Sequence, residues 1–205
     1  MDVRIDHFLY AAPDLAAAVD DIEKRFGVRA AGGGQHTGQG THNRLLSLGP
    51  WTYLEIVAPD PEQPPPAGPR PYGVDGVTRP GLVGWAITCD DTAKARDEAR
   101  ARGFDPGDVI DGHRRTPEGS MLRWRLTSNA LTAGVVPFLI SWGDTPHPAA
   151  SAPPGVTLAS FHIEHPDPPS VTARLYALGA EVEVRPAPQP ALVVGLLGPN
   201  GRDEL

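Results

Sequence analysis

The chain repeats one supersecondary unit three times, and this repetition constrains its fold more than any other feature of its 205 residues. Each copy begins with an apolar strand, continues into a short helix that ends at a glycine, and then returns to strand. The helices are predicted over residues 15–26, 93–102 and 171–178. Repeated units stack to bury a core that a single copy cannot bury, so the sequence predicts a modular α+β fold.

Two proline-rich segments mark the boundaries between the units. The predicted order is a first βαβββ module at 3–60, a linker at 61–81, a second module at 82–143, a linker at 144–155 and a partial third βαββ unit at 156–205. We expect curved mixed sheets around a cavity, with the helices outside. The unpaired third unit should either cap the open sheet or pair with its copy in a homodimer.

The charge and composition of the chain argue against some classes of binding partner. The formal net charge of −7 at pH 7 argues against nucleic acid and against an anionic membrane surface. No segment reaches the ~18 apolar residues of a membrane-spanning helix, and no signal-peptide pattern is present. The single cysteine, Cys89, cannot form an internal disulfide, which is typical of reducing compartments. The sequence therefore predicts a cytoplasmic protein that binds neither nucleic acid nor a membrane.

Several segments of the first two modules share a recognisable pattern. They are Ile5-Asp6-His7-Phe8, GTHNRLL at 40–46, TYLEIVAPD at 52–60 and VPFLISW at 136–142. Together they resemble the vicinal oxygen chelate superfamily of glyoxalase I, bleomycin-resistance proteins and extradiol dioxygenases, and its glyoxalase-like domain branch in particular. The resemblance implies paired βαβββ modules around an open cavity. It also implies His or Glu ligands to a divalent metal on the first and last strands of each module, although many relatives only bind ligands.

His7 and Glu55 match the metal-ligand positions of the first module. Both are polar residues on strand faces that should be buried, where an unpaired carboxylate is costly. A core histidine and a Glu55–Arg44 ion pair are the alternatives without a functional role. In the second module the matching positions hold Trp85 and either Leu139 or Ile140, none of which can bind a metal.

A third metal ligand has three candidates. His42 lies in the segment that most resembles the family, His36 follows Gly32-Gly33-Gly34 on what reads as a mobile loop, and His162 aligns with His7 in the third unit. We favour His7, Glu55 and His42, because two histidines and one carboxylate can hold Zn, Fe, Ni or Mn and leave positions open for substrate. A turn histidine with no metal is the alternative for His42.

Other candidate residues concern the substrate. Arg123 and Arg125 share one face of a predicted strand at 120–127, where they either clamp a carboxylate or phosphate or remain solvated. Trp85, Phe138 and Trp142 either line the cavity or belong to the core. The glycine-rich segment 31–40 lacks the Gly-Lys-Ser/Thr ending of a phosphate loop, so it forms a lid over the cavity or a surface loop.

Two functions follow from these assignments. The first is a divalent-metal-dependent lyase or isomerase, or a dioxygenase, that acts on a small oxygen-chelating substrate, with Glu55 as the catalytic residue. The alternative is a metal-free protein that binds or sequesters a small molecule in the same cavity. No nucleophile motif is present that would support hydrolysis.

Overall fold

The structure is a computed structural model that describes residues 3–115, 119, 121–132 and 134–205. The first module consists of β1 (Arg4–Ala11), α1 (Leu15–Phe26), β2 (Ala31–His36), β3 (Thr41–Ser47) and β4 (Tyr53–Pro59). The second consists of β5 (Gly81–Thr88), α2 (Thr92–Ala101), β6 (Val109–Arg115), β7 (Met121–Thr127) and β8 (Phe138–Ser141). Ser120, the first residue of the strand predicted at 120–127, lies outside the described residues. No helix in these ranges is long and apolar enough to cross a membrane.

The two modules share one eight-stranded sheet in the order β2-β3-β4-β1-β5-β8-β7-β6. Within each module the first strand pairs in parallel with the last, and β1 joins the modules by pairing antiparallel with β5. The outer edges of the sheet approach each other, and Arg114 of β6 donates a hydrogen bond to the carbonyl oxygen of Gly33 in β2. The sheet therefore curves into a nearly closed barrel, and the predicted α+β fold around a cavity is confirmed.

Helix α1 forms where the sequence predicts it. Asp14 caps its start, because the side chain accepts a hydrogen bond from the backbone N–H of Ala17 at 3.0 Å. Gly27 ends it in the left-handed conformation at φ 79°. The buried face holds the residues that recur at helical spacing, namely Leu15, Ala18, Val19, Ile22 and Phe26.

The third unit covers the outer face of the barrel within the same chain. It consists of β9 (Thr157–His165), α3 (Pro168–Leu178), β10 (Val184–Pro186), β11 (Ala191–Gly198) and β12 (Gly201–Glu204), in the sheet order β10-β9-β11-β12. The ring of Phe161 packs against Phe8 and Trp85, with each pair of centroids 4.9 Å apart. The capping arrangement is thus present, and the homodimer stays a prediction.

Candidate active site

The two modules enclose a cavity of about 20 Å³ inside the barrel, which is room for roughly one water molecule. The first module contributes a polar wall formed by His7, His36, Asn43, Tyr53 and Glu55. The second contributes a mostly apolar wall formed by Trp124, Leu126, Phe138, Ile140 and Trp142, together with the charged Arg114. The polar chemistry of the site therefore comes almost entirely from one module.

His7 on β1 is oriented by a buried carboxylate that sequence reasoning missed. Its Nδ1 lies 2.6 Å from Oδ1 of Asp6 and donates to it, and its ring stacks on Tyr53 at 4.7 Å between centroids. Asp6 is fully buried and also accepts from Nε1 of Trp142 at 2.9 Å and from Nε2 of His147 at 3.1 Å. With its proton on Nδ1, a neutral His7 keeps a lone pair on Nε2.

Glu55 on β4 faces that lone pair. Its Oε1 accepts a hydrogen bond from Nδ2 of Asn43 at 2.8 Å. The Asn43 amide is fixed in this orientation, because its Oδ1 accepts the backbone N–H of Gly34 at 2.9 Å. Oε2 of Glu55 lies 3.8 Å from Nε2 of His7, which is beyond hydrogen-bond length. Two proton acceptors thus face each other across a gap that a proton-bearing molecule can bridge.

His36 occupies the position beside Glu55 that His42 was expected to hold. It lies at the end of β2, a strand at the sheet edge and not a mobile loop, with Nδ1 2.9 Å from Oγ1 of Thr41. Its Nε2 lies 3.3 Å from Nδ2 of Asn43 and 3.8 Å from Oε1 of Glu55. Burial lowers the pKa of His36 against the opposing effect of Glu55, so we treat this imidazole as neutral.

His42 points to the outer side of the sheet. Its side chain is 24% exposed, with Nδ1 3.8 Å from a carboxylate oxygen of Asp60. Strand parity explains this placement, since Thr41, Asn43 and Leu45 face the interior and the residues between them face outward. The structure therefore brings His7 and Glu55 together and leaves His42 outside the cavity.

The donor set does not fit the divalent metal implied by the family resemblance. The Asn43 amide directs its N–H groups at Oε1 of Glu55 and Nε2 of His36, two of the atoms that would bind an ion. The guanidinium of Arg114 adds positive charge to the same cavity. Among the residues that the structure describes, no group of three or more His, Cys, Asp or Glu side chains could hold a metal ion.

The first linker closes one side of the cavity. Pro71–Gly76 form a 3-10 turn, in which Tyr72 has a left-handed backbone at φ 62° and stacks on Phe138. Such a conformation costs a non-glycine residue about 1–2 kcal/mol. Arg70 holds the turn by hydrogen bonds to Asp75 at 2.6 Å and to the carbonyl oxygen of Gly40 at 2.8 Å. Burial, reinforced by the charge of Glu55, raises the pKa of Tyr72, so its phenol stays protonated and can donate.

The predicted substrate-binding residues separate into three groups. Phe138 and Trp142 line the cavity. Trp85 is fully buried on the opposite face of the sheet, where its Nε1 donates to the carbonyl oxygen of Val135. Arg123 and Arg125 are exposed on the outer side of β7, in a separate groove. A substrate-binding role in the cavity thus has positional support only for Phe138 and Trp142.

Two further histidines, His162 and His147, are both largely buried but differ in their relation to the candidate site. His162 lies on β9 in the second sheet, with Nε2 3.2 Å from a guanidinium nitrogen of Arg185, and does not line the cavity. His147 lies in the proline-rich linker predicted at 144–155, where solvent exposure is the ordinary expectation. Its side chain is only 11% exposed, because it turns inward to Asp6. Linker position predicts backbone exposure, but it does not predict the direction of one side chain.

Asp6 makes the stability of the fold sensitive to acid. Burial raises its pKa, but hydrogen bonds from His147 and His7 outweigh burial and lower the pKa from 3.8 to about 2. The folded-state pKa is below the unfolded value, so the contribution of about 2 kcal/mol is present above about pH 4 and is lost as the pH falls toward about 2. Urea unfolding across this range should show a steeper loss in the wild type than in Asp6→Asn. An equal loss of stability with falling pH in both proteins would contradict the assignment of this acid sensitivity to Asp6.

Gly33 maintains the position of Asn43. At φ +76° it adopts a left-handed backbone, and a side chain there would overlap the carbonyl oxygen and Oδ1 of Asn43. Gly32 is the matched control, because it has φ +65° with open space around it. Gly32→Ala should cost about 1–2 kcal/mol from the backbone alone, and Gly33→Ala at least twice as much. Chemical denaturation measures the free energy of unfolding of both variants. Equal losses would show that the close approach of Gly33 to Asn43 does not add to the destabilisation.

A known family profile and several solved structures are similar to this chain. The glyoxalase-like domain profile matches residues 5–179. A hypothetical protein from Staphylococcus aureus has a similar structure at 11% identity, with a TM-score of 0.62 over 99% of this chain and 85% of that one. Methylmalonyl-CoA epimerase from Mycobacterium tuberculosis aligns at 18% identity and a TM-score of 0.45, over 71% of this chain and 91% of its own. A variant of methylmalonyl-CoA epimerase from Streptomyces coelicolor aligns at 20% identity and a TM-score of 0.46, over 69% of this chain and 96% of its own.

No curated protein matches the chain, so the family profile is the comparison that decides membership. It spans most of the sequence, from β1 to the glycine that ends α3. The paired βαβββ modules around a central cavity are the architecture that the sequence resemblance implied. The protein belongs to the glyoxalase-like domain family.

Proposed function

We propose that the protein is a small-molecule enzyme that removes a proton from a carbon atom next to a carbonyl group, as lyases and isomerases do. One observation carries this proposal. Oε2 of Glu55 and Nε2 of His7 face each other across 3.8 Å inside a buried cavity. A general base must be positioned within reach of the proton that it abstracts, and histidine and glutamate are the usual groups.

Five polar residues in and beside the cavity have roles in this chemistry. The Glu55 carboxylate accepts the proton, and the electron pair of the broken C–H bond moves onto the carbonyl oxygen as an enolate. Asn43 holds Glu55 in place, and Asp6 holds His7, which relays the proton through Nε2. Arg114, in the cavity wall, supplies positive charge near the developing oxyanion. The same residues then return the proton to carbon, so no external oxidant or reductant is needed.

Exchange of carbon-bound protons with solvent tests this function directly. Small 2-oxo acids, esters and ketones are incubated with the protein in D₂O, and the loss of the proton signal next to the carbonyl group is followed by NMR. We expect enzyme-dependent exchange for at least one compound. Tight binding of these compounds without exchange would overturn the proposal and favour a protein that only binds small molecules.

Metal content provides a second, independent test. We expect protein purified without chelators to hold far less than one equivalent of Zn, Fe, Ni or Mn by plasma mass spectrometry. The reason is that Asn43 donates toward two of the available ligand atoms. A near-stoichiometric metal that is lost in the His7→Ala/Glu55→Ala double variant would contradict this expectation and support a metal-dependent reaction.

A further inference from the structure

Arg114 carries a buried charge that no carboxylate of the described residues pairs with. The residue is 5% exposed, and its guanidinium donates one hydrogen bond, to the carbonyl oxygen of Gly33. No carboxylate oxygen of the described residues lies within the 4.0 Å that defines an ion pair with it. A guanidinium has five N–H donors, and buried charges are normally paired. Among the residues that the structure describes, Arg114 therefore has no anionic partner.

The position of Arg114 indicates where an anionic partner would come from. Arg114 and Leu45 line the inner cavity and also a second cavity of about 220 Å³, which we call the vestibule. Other residues of the vestibule wall include Gly32, Gly33, Leu122 and Pro148. Arg114 is the only charged residue among the described residues that line it. A ligand in the vestibule thus meets one positive charge on an otherwise uncharged wall.

We infer that Arg114 binds the carboxylate of a small monocarboxylic acid and so sets the substrate class of the site. This inference rests on the proposed proton transfer, because it requires the C–H bond next to the carbonyl group of the bound acid to reach Glu55. One guanidinium matches one carboxylate through two parallel hydrogen bonds. The vestibule is smaller than the ~300–1,000 Å³ of sites for drug-sized ligands. A 2-oxo acid of a few carbon atoms fits these requirements, and a polyanionic carrier does not.

The experiment compares pyruvate, pyruvamide and inorganic phosphate as probes, with binding measured by calorimetry and by the fluorescence of Trp124 and Trp142. We expect pyruvate to bind the wild type at least tenfold more tightly than pyruvamide, which has the same shape without the charge. Arg114→Gln should weaken pyruvate binding at least tenfold. Arg174→Gln, on the exposed face of α3, should leave it unchanged. Arg114→Lys keeps the charge and provides a second test if Arg114→Gln does not fold.

Several outcomes would overturn the inference. These are equal binding of pyruvate and pyruvamide, undetectable binding of pyruvate, preference for phosphate, or unchanged binding in Arg114→Gln. Glu55→Gln separates the inference from the proposed function, because it should abolish proton exchange and still bind pyruvate. Binding that depends on Arg114 without any exchange in the wild type would refute only the proposed function. Proton exchange in the wild type, together with pyruvate binding that is not weakened in Arg114→Gln, would refute only the inference.

Discussion

Replacing Glu55 with glutamine is expected to slow proton exchange by about 10²–10⁴-fold, the usual contribution of a positioned general base. The glutamine side chain retains the length of glutamate and a carbonyl oxygen that can still accept from Nδ2 of Asn43. The fold should therefore be preserved, and only the ability to take a proton is lost. Exchange followed by NMR in D₂O measures the effect, at protein concentrations that keep the wild-type rate well above background.

Glu181→Gln serves as the matched control for this substitution. Glu181 is exposed in the third unit, so the same chemical change there should leave the exchange rate at the wild-type value. Circular dichroism and unfolding curves verify that Glu55→Gln is folded. If a folded Glu55→Gln protein exchanged protons as fast as the wild type, Glu55 would not be the base, and His7 would be the next residue to substitute.

Replacing Asp6 with asparagine should have the largest effect on stability, a loss of about 3–5 kcal/mol in the free energy of unfolding. Asp6 is fully buried and accepts hydrogen bonds from His7, His147 and Trp142. An asparagine turns one of its two acceptors into a donor, so at least one of these N–H groups meets another N–H. Denaturation in urea at about neutral pH measures the loss. Asp203→Asn, at an exposed ion pair with Arg25, should lose at most about 1 kcal/mol.

Asp6 also positions His7, and the pH profile of proton exchange tests this role separately from stability. Without the carboxylate, the proton of a neutral His7 is no longer held on Nδ1, so Nε2 loses its fixed state as an acceptor. The pH profile of proton exchange should therefore shift in Asp6→Asn at temperatures where the variant is folded. A profile that keeps its shape and changes only in amplitude would indicate that Asp6 contributes to stability alone.

Local sequence signals were sufficient for the elements with strong periodicity. Asp14, Gly27 and the apolar spacing between them define α1 in the structure as they do in the sequence. The edge strand β2 reads instead as a lid or a surface loop, because its segment is rich in glycine. Its backbone is ordered by pairing with β3, and a local sequence pattern does not reveal such pairing.

In the candidate site, too, some features could be predicted from the sequence and others depended on strand pairing. The family resemblance implied that His7 and Glu55 share a site, and strand alternation placed each on a face that should be buried. Strict alternation along β1 would put Asp6 on the face opposite His7, but a register irregularity between Ile5 and His7 in the pairing of β1 with β5 allows Asp6 and His7 to be buried side by side. Glu55 is held by Asn43, and not by an arginine such as Arg44.

Strand pairing also determined which histidine and which second-module residue face the cavity. His36 is the cross-strand partner of Thr41, whereas His42 pairs with Gln35 and Ala58 on the outer face. Likewise, His7 pairs with Ala86, so the neighbouring Trp85 points into the outer core. By itself the sequence determined the repeated modules and their helices, and the family resemblance led to the pair of His7 and Glu55. The tertiary structure decided the rest, because a side chain reverses its face with every residue, and only the register between distant strands fixes which face is inside.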